Sequence, residues 1–177
     1  MINTNWIVIT GPPSSGKTSL INRLEKKGYL VCPEVAREII LYSMHSGQLK
    51  HRFARDSLAL QREILSITLK REHMLSAEQQ IFFDRGTPDS IAYLQFHGFD
   101  IGPAIKASHF RRYLKVFYCE GLPVVHDGLR LEDDNIAKDI GRKIIDAYTL
   151  MQYPLIFLPP VSIDKRLKII LDELNLN

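Results

Sequence analysis

Two glycines, a lysine and a threonine at fixed spacing mark where this chain can do chemistry. Gly11-Pro12-Pro13-Ser14-Ser15-Gly16-Lys17-Thr18 fits the phosphate-loop pattern G-x-x-x-x-G-K-[ST]. Such a loop brings backbone amides from Ser14 through Ser19 around a phosphate chain, with the positive end of the following helix behind them. Gly11 and Gly16 allow close approach because they carry no Cβ. Lys17 is expected to reach the β- and γ-phosphates of a nucleoside triphosphate, and the Thr18 hydroxyl to bind Mg²⁺. Glu34, Arg37, Asp84, Arg85 and Arg130 stand at the ends of apolar runs or in a polar stretch. Carboxylates there suit a metal ion or a hydroxyl proton; guanidinium groups suit the charge spread over a phosphoryl group in transfer.

The elements that must hold these groups follow from the apolar spacing. Trp6-Ile7-Val8-Ile9-Thr10 is a β-favouring run before the loop, and Leu20, Ile21 and Leu24 recur at helical spacing after it. Tyr29-Leu30-Val31-Cys32 reads as a short buried strand that ends at Pro33-Glu34. Further strands are expected at 80–84, ending in Asp84 as a metal carboxylate would, and at 114–119 and 155–158. Helices are expected at 35–44, at about 51–75 with Phe53, Leu60, Ile64, Ile67 and Met74 inward, from Thr87 as N-cap, at 103–110 and 136–151, and from a Ser162 cap to Leu174. Residues 124–135 have little periodicity and carry Asp127, Arg130, Glu132, Asp133 and Asp134, which suits a closing lid. Strands alternating with helices imply a parallel sheet wound by right-handed crossovers, with the ligand at the strands' C-terminal ends.

Composition narrows the function classes. A length of 177 residues is ordinary for one domain, so residues 1–177 are expected to form a single unit. Lys plus Arg number 23 against 20 Asp plus Glu, and the net +3 argues against a nucleic-acid surface. No apolar run approaches the roughly 18 residues of a membrane span. Cys32 and Cys119 sit in strand-like runs outside any metal-ligand pattern, so reduced thiols in the cytoplasm are expected. An N/T-K-x-D guanine-reading stretch and an LSGGQ-like run are both missing, which argues against GTP specificity and an ABC cassette.

Cys32-Pro33-Glu34-Val35-Ala36-Arg37 resembles the proline-glutamate segment that brings a base to the acceptor hydroxyl in deoxynucleoside kinases. Asp84-Arg85-Gly86 resembles the acidic-Arg-small triplet of nucleoside and nucleotide kinases. Pro33 through Glu38, Asp84 through Asp89, Ala92-Tyr93-Leu94 and the tail from Asp127 to Arg166 together resemble the "AAA domain" family. That family includes the ribosylnicotinamide kinase domain of bacterial NAD-regulating proteins. The likeness spans nearly the whole chain. It implies a three-layer α/β/α fold of the P-loop NTPase type, with five parallel strands in the order 2-3-1-4-5.

On that reading Thr18 and Asp84 hold Mg²⁺, Glu34 takes the acceptor proton, Arg37 and Arg85 orient the acceptor and its incoming phosphate, and Arg130 closes over the γ-phosphate. Plainer roles stand beside these: Glu34 as a carboxylate at a helix N-terminus, Arg37 and Arg85 as ion-pair partners of Glu34 and Asp89, and Arg130 as a solvated loop residue. The leading expectation is an ATP-dependent kinase acting on a hydroxyl of a nucleoside-like metabolite. An NTP hydrolase or a nucleotide-dependent binding module would carry the same loop. The acceptor pocket is expected from the segment after Glu34, from Phe53 to Gln61 and from the helix at Thr87, with Tyr42, Phe53 and Gln61 suiting a planar ring.

Overall fold

The computed structural model describes residues 1–45, 58–121 and 134–176. Its elements are β1 (Ile2–Asn3), β2 (Trp6–Thr10), α1 (Lys17–Lys26), β3 (Leu30–Cys32), α2 (Val35–His45), α3 (Leu58–Met74), β4 (Ile81–Asp84), α4 (Thr87–Phe96), α5 (Gly102–Ser108), β5 (Arg111–Arg112), β6 (Lys115–Cys119), α6 (Asp134–Leu150), β7 (Leu155–Leu158) and α7 (Ile163–Glu173). Five strands form a parallel sheet in the order β3-β4-β2-β6-β7, which is the expected 2-3-1-4-5. A separate parallel pair, β1 with β5, was not expected; Ile2 faces Arg111, and the Thr4 hydroxyl donates to the Arg112 carbonyl at 3.0 Å.

β2 sits at the centre, and all five of its residues are buried. A strand covered on both faces reads as a continuous apolar run. Alternate side chains split between two cores. Trp6 and Val8 join Phe83, Val116 and Ile144 on the α4 and α6 side, while Ile7 and Ile9 join Leu20, Leu24, Phe117 and Ile170 on the α1 and α7 side. Helices on both faces of the sheet give the three layers. Parallel register then sets Ile9 opposite Asp84 on one flank and Thr10 opposite Tyr118 on the other. Consequently the phosphate loop leaves the sheet beside the last residue of β4.

Several local expectations need correction. β3 is an edge strand rather than a buried one, so Leu30 is 53% exposed. Met74, the last residue of α3 and expected to face inward, is 85% exposed. The N-cap of α4 is Gly86 and not Thr87; the Asp89 carboxylate accepts from the Gly86 amide at 3.0 Å, and Thr87 is already helical. Residues 134 and 135, read as the end of a lid, open α6. Ser162 does cap α7, accepting from the Lys165 amide at 3.4 Å.

Gly11 follows β2 with φ +141°, and a Cβ built there would lie 2.4 Å from the Cys119 carbonyl oxygen. Two backbones meet at that point, so neither can yield. Gly11→Ala is expected to cost more than about 2 kcal/mol, through strain at an unfavourable φ and a backbone clash. Urea unfolding checks this; an unchanged midpoint would show that the loop accommodates a side chain.

Candidate active site

A cleft of about 1070 Å³ opens at the C-terminal edge of the sheet. Its floor is the phosphate loop from Pro13 to Ser19, and Glu34, Arg37, Gln61, Asp84, Arg85 and Tyr93 are among its walls. Most of the charged residues singled out in the sequence therefore meet in one place. Arg130 lies outside the described residues, as do Phe53 and positions 124–133 of the expected lid. Tyr42 is 75% exposed and does not line the cleft.

Gly16 caps α1 with φ +85°, turning the loop so that the helix starts on Lys17. Ser14 also takes a positive φ, at +59°. Lys17 is buried, and its ammonium donates to the Pro12 carbonyl at 2.6 Å and to the Ser15 hydroxyl at 3.2 Å. Burial, then the neighbouring Arg85 charge, lower its pKa to about 8, although Asp84 and Glu34 pull the other way.

Thr18 donates its hydroxyl to Asp84 Oδ2 at 2.9 Å across 66 positions of sequence. The other carboxylate oxygen, Asp84 Oδ1, is buried without a hydrogen-bond partner. Burial raises the Asp84 pKa, as does the Glu34 carboxylate, against Arg85, Lys17 and the Thr18 hydroxyl. An unpaired buried acceptor beside a threonine hydroxyl fits a hard divalent cation, which binds oxygen donors and keeps several waters. Mg²⁺ therefore fits the residues present.

Arg85 follows β4 in the left-handed region, at φ +74°, and its amide donates to the Ile9 carbonyl at 3.1 Å. Its guanidinium spans the cleft wall: Nε to Glu34 Oε1 at 2.6 Å, one Nη to Asp89 Oδ1 at 3.0 Å and to the Gly11 carbonyl at 3.2 Å. The Tyr93 ring lies 5.2 Å from it. Burial works against this charge, but Tyr93, Glu34, Asp89 and Asp84 together hold its pKa well above the ordinary value. Burial would likewise raise Glu34, yet the Arg85 charge and hydrogen bond, with Lys17 and Arg37, hold it below the usual carboxylate range. The ion pairs read from the sequence for Arg85 are thus present. Arg37 is exposed at the cleft.

Residues to which the sequence assigned no catalytic or binding role support the site. Asp89 is buried and saturated: besides Arg85 and Gly86 it accepts from Thr10 Oγ1 at 2.6 Å and Tyr148 Oη at 2.7 Å. Glu72, buried on α3, accepts from Thr87 at 2.8 Å and from Tyr113 at 2.5 Å, tying α3 to the start of α4. Arg166 is wholly buried behind the phosphate loop. One signal was available for it, a charge within the apolar helical stripe Ile163, Leu167, Ile170. Helical spacing places Tyr148 with Ile140 and Ile144 but shows no polar partner for it or for Glu72.

Residues 6–166 match the protein family described as "AAA domain". The chain belongs to that family. No curated protein matches its sequence. Among solved structures it is similar to deoxyadenosine kinase from M. mycoides with products dCMP and dCDP bound, at 15% identity and TM-score 0.69, over 96% of this chain and 98% of that one. It is similar to thymidylate kinase from Ehrlichia chaffeensis at 13% identity and TM-score 0.67, over 98% and 100%. It also resembles a NadR protein in complex with NR at 15% identity and TM-score 0.69, over 98% of this chain but 52% of that one. At such identities the likeness shows the fold: the member described here has the kinase-type P-loop architecture. Among its described residues, no helix is long and apolar enough to cross a membrane.

A lysine with a pKa of about 8 gives the AAA-domain site a specific pH signature. A bound polyanion favours the charged form, so binding raises this pKa and takes up protons from solution. Mg·ATP affinity is expected to fall as pH rises from 7 to 9, with net proton uptake greatest above 8. Calorimetry in buffers of different ionisation enthalpy measures this; proton release, or affinity constant over that range, would contradict it.

Proposed function

We propose that this chain is an ATP-dependent kinase that transfers the γ-phosphoryl to a hydroxyl of a nucleoside-like metabolite. The observation that carries the reading is the shape of the cleft. It does not stop at the phosphate loop but continues between α2, α3 and α4, past Glu34 and Arg85 to Leu60, Gln61, Ile64, Tyr93 and Phe96. A hydrolase needs room for a water there; this space fits a second substrate with a ring. Likeness to a deoxyadenosine kinase, a thymidylate kinase and a NadR protein in complex with NR supports a nucleoside-like acceptor.

Phosphoryl transfer asks for in-line positioning and for stabilisation of charge on the moving group, with little covalent work by the protein. The loop amides and Lys17 would grip the donor's phosphates. Thr18 and Asp84 would hold Mg²⁺, which when bound neutralises phosphate charge. Arg85, fixed by Glu34, Asp89 and the Gly11 carbonyl, faces the same cleft and would bind the oxygens of the transferring group. Glu34 would accept the hydroxyl proton. A carboxylate of lowered pKa is a weak base, but a loose transition state develops little negative charge on the attacking oxygen, so late proton acceptance is enough. Arg37 would orient the acceptor, and Arg130 would close over the γ-phosphate.

An ADP-release assay across nucleosides, nicotinamide riboside included, tests the proposal. Turnover is expected only when acceptor is present, and Glu34→Gln is expected to lower kcat by roughly 10²- to 10⁴-fold with Mg·ATP affinity kept. Phosphate release that ignores every acceptor and is indifferent to Glu34→Gln would instead support a hydrolase.

A further inference from the structure

Arg166, on α7, has a relative exposure of 0% and sits 151 positions from the loop residue it holds. Its guanidinium donates to three backbone carbonyls: Nη1 to Ser15 at 2.6 Å, Nη2 to Glu120 at 2.8 Å and Nε to Pro159 at 2.7 Å. These carbonyls belong to the phosphate loop, the residue after β6 and the residue after β7. No carboxylate among the described residues pairs with it. A buried cation normally pairs with an anion, because desolvating it alone is costly. Three carbonyl dipoles, with the Cys119 side chain beside them, hold this one instead, leaving its net charge at the rear of the loop.

We infer that Arg166 is a positioning residue for polyphosphate binding, aiming the Gly16 amide and adding positive potential beneath the loop. The Ser15–Gly16 peptide is planar and trans, so its C=O and N–H point in opposite directions. Anchoring the Ser15 carbonyl rearward on Arg166 turns the Gly16 N–H forward, toward the concave side where a phosphate oxygen would lie. The same guanidinium ties that peptide to the ends of β6 and β7, so the loop's aim is set by the sheet and not by the loop alone. Preorganised donors need no reorganisation when charge arrives, which is where their advantage over water comes from. This inference rests on the nucleotide-binding half of the proposal above and is independent of any acceptor.

Three proteins test it: wild type, Arg166→Lys, which keeps the charge but loses the three-way fork, and Arg166→Met, which keeps bulk and loses both. Binding of magnesium tripolyphosphate and of Mg·ATP is measured by calorimetry, alongside circular dichroism and thermal melting. In variants that remain folded, Arg166→Met is expected to weaken both ligands by tenfold or more and Arg166→Lys by less, as loss of charge-assisted hydrogen bonds implies. A merely structural role would lower the melting temperature while leaving the affinities of the folded protein unchanged, and that result would overturn the inference. On the wild type, nitrogen-detected NMR of the arginine side chains gives an arm without substitution. Hindered guanidinium rotation with separate Nη signals is expected at Arg166, and freely averaged signals would also overturn the inference. Tripolyphosphate uptake that depends on Arg166, together with no acceptor turnover, would sink the kinase proposal and leave this one standing.

Discussion

The site depends on the pairing of β2 with β4. Because the strands run parallel with Ile9 opposite Asp84, the glycine loop and the carboxylate leave the sheet side by side. Thr18, one residue into α1, can then bond Asp84 at 2.9 Å. A shift of register by one residue would turn Asp84 to the opposite face and move both apolar sets of β2 out of their cores. Burial of Trp6, Ile7, Val8 and Ile9, each at 0% exposure, is therefore also what aligns Thr18 with Asp84, the pair proposed to hold the metal. Packing and chemistry share one constraint.

Strain and electrostatics concentrate one residue further on. Arg85 adopts φ +74°, a conformation that costs a non-glycine residue about 1 to 3 kcal/mol. Its amide bond to Ile9 and its guanidinium bonds to Glu34, Asp89 and Gly11 offset that cost. In return, one cation is fixed between the loop and the wall contributed by Glu34. Asp89 holds the arginine from behind and is itself held by Thr10 and Tyr148, so β2, α4 and α6 all bear on the orientation of a single guanidinium.

Much of this was legible in the amino-acid sequence because it is local. The glycine loop, the flanking strand and helix, and the strand-ending Asp84 are patterns of adjacent residues. Their convergence follows from the crossover rule for parallel sheets. Edges were harder: Leu30 looks like core residues in sequence but is exposed, since only the strand order decides which strands lie outermost. Thr87 is the residue type expected at an N-cap, but Gly86 takes that place because Asp89 reaches back to its amide. The sequence does not show the polar partners of Tyr148 and Glu72, since Asp89 is 59 positions from Tyr148, and Tyr113 and Thr87 are 41 and 15 from Glu72. Arg166 did carry one, a charge in an apolar stripe, whose meaning becomes clear only with the loop carbonyl in view.

On the proposed reading, Lys17, Thr18 and Asp84, which line one cleft with Thr18 bonded to Asp84, would bind a polyanion and a divalent cation next to an acceptor. Calorimetric titration of ATP into the protein, with magnesium and then with a chelator, for wild type and Asp84→Ala, tests this most directly. The account predicts binding that is strong with magnesium, weakened when the metal is removed, and in Asp84→Ala largely indifferent to it. Wild-type protein that is folded and binds no ATP, or binds it equally with and without magnesium, would contradict it.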